Sequence, residues 1–334
     1  MRNWIPNHVH LCIVLLLLAL FTGCSRDNSP SPPVKQQPFT ICVGGILASL
    51  PYIALEKEFF QAEGIAAEIS LLGDGKVAMA SFLDGKCDAC LSGEFPVVRQ
   101  SFARTDLVII ATVASSDNAV KVLARRDLGI TTPADLTGKR IGVSKGTISN
   151  FFLDQFLKKN RIPRGEMTIV DISHRDLPEA LKRGDIDAYV GTDVAYLRGV
   201  EAIGGLGITF SEPGLTNHTS CLTVKKEWLA ANKRTAGRVL QALVRAEQEL
   251  ALHPKEMTAL LAKRLNTPLA DLQSIMAEQH NRVVLDQVLL LALEDEGRWM
   301  QEMGLVKAKS LPNYLHFLDT SVLKGVSPAA VRLK

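Results

Sequence analysis

The chain has 334 residues, 38 Lys and Arg against 35 Asp and Glu, and a formal net charge of +3. With 47% hydrophobic and 22% charged residues it has an ordinary globular composition, and no basic run interleaved with aromatics offers a footprint for nucleic acid. Its seven histidines are scattered, none in a recognisable nucleophilic or metal motif, so the chain reads as a non-enzyme without cofactor or metal.

The N-terminus, "MRNWIPNHVH", runs into the apolar block "LCIVLLLLALF" from Leu11 to Phe21. That block is shorter than the about 20 apolar residues a bilayer span needs and has the length and flanks of an export signal. It ends in "LFTGC", which resembles the lipobox of bacterial lipoproteins, although Phe21 replaces the usual Leu. The resemblance implies removal of residues 1–23 and acylation of Cys24, palmitate included. Residues 24–38 then hold the acylated cysteine and the Ser- and Pro-rich tether "SRDNSPSPPVKQQP". The mature chain is expected outside the cytoplasm, held to a membrane by lipid. Ser25, in place of Asp after the cysteine, favours the outer membrane if the organism has two.

From Phe39 the order is strand, glycine turn, helix: "TICV" is a short β-rich run, and "PYIALEKEFFQAEG" has helical spacing and stops at Gly64. "AAEISLLGDGK" adds a strand and turn, "VAMASFLDG" a helix, and "CDACLSGE" a third strand with its loop, together an open α/β sheet. About a hundred residues later the order returns in "KRIGVSKGTISNFFLDQFLKKN", "MTIVDISHRD" and "LPEALKRGDIDAYVGTD". Val43 to Asp88 spans 45 residues and Val143 to Asp187 spans 44, so one supersecondary unit is used in two lobes.

Superposing "GKCDACLS" on "GDIDAYVG" places Asp88 on Asp187, Cys87 on Ile186 and Cys90 on Tyr189. The C-x-x-C pair therefore closes a helix and enters a strand, the wrong end for a thioredoxin-type site, and no second ligand pair accompanies it for zinc. The cysteines read as free, buried thiols with a packing role. A disulfide stays open outside the cytoplasm, with Cys42 and Cys90 on neighbouring strands and Cys221 far along the chain, though parallel neighbours are poor disulfide geometry.

In open α/β sheets ligands bind beyond the carboxyl ends of the strands. Two facing lobes bring six loops to one cleft: 44–50, 73–76, 92–96, 144–150, 173–176 and 191–194. The candidate ligand contacts are Gly45, Leu47, Ser49, Leu50, Gly73, Gly75, Lys76, Ser92, Gly93, Glu94, Ser144, Gly146, Thr147, Ile148, His174, Thr192 and Asp193. Glycines let the backbone approach a ligand, helix starts favour an anionic group, and His174 is the histidine to watch as a pH-sensitive contact.

The segments "YIALEKEFFQAEGIAAEI", "LDGKCDACLSG", "ADLTGKRIGVSKGT" and "LKRGDIDAYV" resemble the solute-binding proteins of the nitrate, sulfonate, taurine and thiamine-precursor uptake group, the NMT1/THI5-like family. The resemblance covers about residues 39 to 330. It implies a two-lobe type II periplasmic binding protein fold with a hinge and C-terminal helices, acting as a monomer that hands a small solute to an ABC permease and its ATPase. It also places the first part of lobe 1 at 39–124, lobe 2 at 125–218, and the return to lobe 1 with the C-terminal helices at 219–334. The chain departs from the family's aromatic-Glu-Pro pattern at Thr192–Tyr196.

Loop charges are mixed: Asp74, Glu94, Asp117 and Asp193 against Lys76, Lys145 and Arg175. They lean toward a zwitterion or a neutral polar ring, such as an amino-sulfonate or a pyrimidine. Two other readings share the architecture: a lipid-anchored sensor, and a pyrimidine-synthase-like or lyase enzyme, against which the lipobox argues.

Overall fold

The computed structural model describes Met1, residues 36–45 and residues 48–333, of which 36–333 lie in one compact unit. The expected signal segment, Cys24, the tether to Lys35 and Leu47 lie outside the described residues. Among those described, no helix is long and apolar enough to cross a membrane.

The first sheet starts with β1 (Gln37–Val43), α1 (Ser49–Glu56), α2 (Phe59–Ala62), β2 (Ile65–Leu71), α3 (Gly75–Leu83), β3 (Ala89–Gly93), α4 (Glu94–Ser101) and β4 (Leu107–Ser116). The chain then enters β5 (Val120–Arg125), β6 (Arg140–Val143), α5 (Ile148–Lys159), β7 (Thr168–Asp171), α6 (Leu177–Arg183), β8 (Ala188–Thr192), α7 (Asp193–Ile203) and β9 (Gly207–Phe210). It returns through β10 (His218–Lys225) and continues as α8 (Lys226–Ala231), α9 (Lys233–Leu252), α10 (Pro254–Arg264), α11 (Leu269–Ala277), β11 (Leu285–Asp286), α12 (Gln287–Glu302), α13 (Ser321–Val326) and β12 (Val331–Arg332).

The sheet orders are β2-β1-β3-β10-β4 and β7-β6-β8-β5-β9. In each, the strands of the repeated unit run parallel, while β10 in the first sheet and β5 in the second join antiparallel. Strands β2, β7 and β9 are only partly buried, and the other strands of the two sheets are buried along most of their length because helices cover both faces. β4, for example, is buried at every position except Ser115.

The two sheets are copies down to their hydrogen bonds. Asp88 accepts from the Thr40 backbone N–H at 2.8 Å and returns its own N–H to the Thr40 carbonyl at 3.0 Å. Asp187 does the same with Arg140, at 2.8 Å and 2.8 Å. Each aspartate fixes the turn by which the chain leaves a helix and enters the central strand.

Strand pairing moves one expected boundary. β5 pairs with β8 and β9, so the chain changes sheets between Ser116 and Val120 instead of after residue 124. The polar run Ser115–Asn118 separates β4 from β5, and the pairing shows that the change of sheet falls there. The chain returns to the first sheet between Phe210 and His218.

The cysteine reading is corrected as well. Cys42 and Cys87 form a disulfide with Cα atoms 5.8 Å apart, whereas Cys90 and Cys221 are free and buried. The register does set Cys42 opposite Cys90, but Cys87 lies ahead of β3, in the turn that crosses to β1, where strand-neighbour geometry does not apply. In the second copy the same two places hold Gly142 and Ile186, and a Cβ on Gly142 would stand 2.5 Å from Ile186 Cδ1. One side chain pair fills this space in one sheet by covalent linkage and in the other by an isoleucine over a glycine.

Candidate functional site

The loops after the parallel strands meet across the gap between the sheets. Lys76, in the first turn of α3, donates to the Lys145 carbonyl at 3.0 Å, joining the first sheet's loops to the second's. Arg99 of α4 reaches over to Gly146, where an added Cβ would lie 3.0 Å from Nη1. Gly146 has φ +66, so a side chain there is strained for backbone reasons also.

Several expected contact residues are taken up in building these loops. Gly75 opens α3 with Asp74 as N-cap, and Gly44 packs so closely on it that a Cβ would sit 2.7 Å from the Gly75 Cα. Gly73 (φ +73) and Gly45 have open space, Leu50 is part of the apolar core, and the Ser92 hydroxyl donates to the Gly93 carbonyl. Ser49 is fully buried; its hydroxyl accepts from Gln279 Nε2 at 3.3 Å and donates to the Met276 sulfur at 3.4 Å. Thr147 turns its hydroxyl onto the Ser144 carbonyl at 2.6 Å ahead of α5, which Ile148 begins with a buried side chain.

His174 lies with its Nε2 2.8 Å from the Ser149 hydroxyl. Burial pushes its pKa down, against the raising effect of Asp74, with Lys76 and His218 adding to the depression. Charged groups of the first sheet's loops, Asp74, Lys76 and His218, thus act on an imidazole carried by the second sheet's loop.

Glu94 and Asp193 occupy equivalent places in the two copies, each the first residue of the helix that follows the central strand. Glu94 is fully buried and spent on structure: it accepts the Thr219 N–H at 2.6 Å and lies 3.4 Å from His218 Nδ1. His218, which sequence reasoning passed over, needs Gly93 beside it, since a Cβ there would be 2.5 Å from its ring. Burial would lower the His218 pKa, but Glu94 and Asp193 outweigh it and raise it.

Thr192 precedes Asp193, which has φ +42 and lines a cavity of about 240 Å³ with Ser116, Lys121, Tyr196, Ser274 and Glu278. Lys121 bonds both Glu278 oxygens, at 2.6 and 2.8 Å, beneath the Tyr196 ring, and Asn118 Nδ2 adds a third hydrogen bond at 3.0 Å. These residues come from the sheet crossing, from α7 and from the C-terminal helices, so the cavity lies where the two halves of the chain meet. A second cavity, about 480 Å³, lies between α5 and α12. There Trp299 donates to Asp154 at 2.7 Å and packs on both Phe95 and Phe151. Among the described residues no group of three or more His, Cys, Asp or Glu is arranged to hold a metal.

A family model described as NMT1/THI5 like matches residues 49–257. A Brucella abortus protein named as a binding protein is 23% identical over 265 residues, covering 77% of this chain and 80% of its own. The alkanesulfonate-binding protein SsuA from Xanthomonas axonopodis pv. citri, solved bound to MOPS, superposes with a TM-score of 0.72 at 18% identity, over 90% of this chain and 99% of its own. The desulfurization enzyme DSZB superposes with a TM-score of 0.68 at 18% identity, over 88% and 99%. With the strand orders above, these likenesses show the two-lobe type II periplasmic binding protein fold.

Proposed function

This chain belongs to the NMT1/THI5-like family, and from that premise we propose that it is an extracytoplasmic, lipid-anchored solute-binding protein. It captures a small polar solute between its lobes and delivers it to an ABC permease and ATPase. The observation that carries this reading is the convergence of loops from both sheets on one gap, bridged from Lys76 to the Lys145 carbonyl. A ligand that touches both lobes in the closed form stabilises closure by its differential affinity, and closure is the shape a permease can read. Residues 39–116 and the chain from His218 on act as one lobe and residues 120–210 as the other. Relatives named for binding proteins, and a structural neighbour named for binding an alkanesulfonate, support capture rather than turnover.

Catalysis on this fold is the second reading, favoured by the likeness to DSZB and by the Ser149–His174 pair. The complete burial of Ser149 weighs against it as a nucleophile. Thermal shift against sulfonates, nitrate, amino acids and pyrimidines tests the proposal, because a ligand that binds the folded state raises its apparent stability. A rise with one class and no change in that compound on prolonged incubation supports solute capture. Conversion of the compound, or a flat response from folded and ligand-free protein, refutes it.

A further inference from the structure

We infer that the solute carries a nitrogen donor, a protonated amine or an amino group, and that Asp193 receives it at the hinge end of the cleft. The inference rests on the solute-binding reading and narrows its ligand class. The cavity of about 240 Å³ is smaller than the roughly 300–1,000 Å³ of drug-sized sites, so it suits a small solute.

The internal duplication supplies the comparison. Glu94 and Asp193 stand at the same place in the two copies, and Glu94 shows what that position does for the fold: its carboxylate accepts a backbone N–H at 2.6 Å and faces His218. Asp193 makes no side-chain hydrogen bond among the described residues, and it lines the cavity. The other cavity carboxylate, Glu278, already has Lys121 and Asn118 as donors. Lys121 is thereby engaged, and the Tyr196 hydroxyl is paired with Thr209 at 3.0 Å. The polar groups that bind one another leave Asp193 as the acceptor facing the space.

The backbone agrees. Asp193 holds a left-handed φ of +42, a conformation that costs energy in a residue other than glycine and persists where the surroundings enforce it. A carboxylate in partial burial gains most from a charged donor, and such a bond is about twice as strong as one between neutral groups. Burial raises the Asp193 pKa against the opposing pull of His218 and Lys121, the direction expected of an acid short of donors.

The test compares matched pairs on the full chain solubilised in detergent: taurine with ethanesulfonate, 4-aminobutyrate with butyrate, 4-aminopyrimidine with pyrimidine. Calorimetry should show one amine member binding at least tenfold more tightly than its amine-free partner. Asp193→Asn should weaken that member by about 10- to 100-fold, the range set by one hydrogen bond to a charged group. Asp193→Ser, which keeps a helix-starting residue, should do the same with an unchanged circular dichroism spectrum. Equal binding of both members of a pair, tighter binding of an amine-free member, or undiminished binding in both variants overturns the inference and leaves solute capture standing. Silence from every pair overturns the inference, and solute capture then stands or falls on nitrate and the other amine-free compounds of the wider panel.

Discussion

Replacing Cys42 by Gly and Cys87 by Ile transplants the second sheet's solution into the first. The disulfide closes a loop with a sequence separation of 45, for which the chain-entropy relation gives about 4 kcal/mol at 25 °C. The isoleucine returns part of that through apolar burial, while the glycine in β1 costs about 0.5–1 kcal/mol, so the net loss should be roughly 2–4 kcal/mol. Guanidinium denaturation of the chain from Ser25 onward, with and without reductant, measures it. The parent should lose stability on reduction, and the double variant should be indifferent to reductant. Thiol titration in denaturant should find two reactive cysteines before reduction, Cys90 and Cys221, and four after. Four thiols before reduction, or identical midpoints with and without reductant, would refute the linkage and the reasoning from it.

Glu296 is buried, and burial first, then the neighbouring Glu94, hold its pKa well above the usual range. The folded state therefore keeps this proton after the unfolded chain has released it, and stability falls as pH rises past about 4, the ordinary glutamate value. Glu296→Gln should melt higher than the parent at pH 7 and equally at pH 3, as read by scanning calorimetry. Trp299→Phe deletes the donor that holds Asp154 at 2.7 Å between the lobes and should cost about 1–3 kcal/mol in urea denaturation. Lys76→Met removes the bond to the Lys145 carbonyl; being exposed, it should change stability by less than about 1 kcal/mol yet raise the radius of gyration measured by X-ray scattering without solute.

The duplication was legible because its signals are local. "GKCDACLS" and "GDIDAYVG" share a glycine, an aspartate and an alanine at fixed spacing, and the structure gives both aspartates the same bonds to Thr40 and Arg140. The hinge chemistry was not legible, because Lys121 and Glu278 are separated by 157 positions and meet only through the sheet crossing and α11. His218 was missed for the same reason: its role depends on Gly93 and Glu94 in another strand and helix. The Cys42–Cys87 bond escaped because strand register governs residues within strands, and Cys87 lies two residues ahead of β3.

Duplication also explains why the cleft is asymmetric. A doubled unit first offers two equivalent loops, and function appears where the copies stop matching. Ser49 and Ser149 are both fully buried, but one is held by Gln279 and Met276 and the other by His174. Glu94 has become a strut for the returning strand, which leaves its counterpart Asp193 free of that duty on the opposite lobe. A solute held by Asp193 would engage lobe 2 directly and lobe 1 through the Lys121–Glu278 pair beside it, so closure and recognition would draw on the same few bonds. Glu278→Gln should consequently weaken solute binding less than Asp193→Asn does, because it loosens the wall of the cavity and leaves the acceptor in place; the reverse order in calorimetry would move recognition to the C-terminal helices.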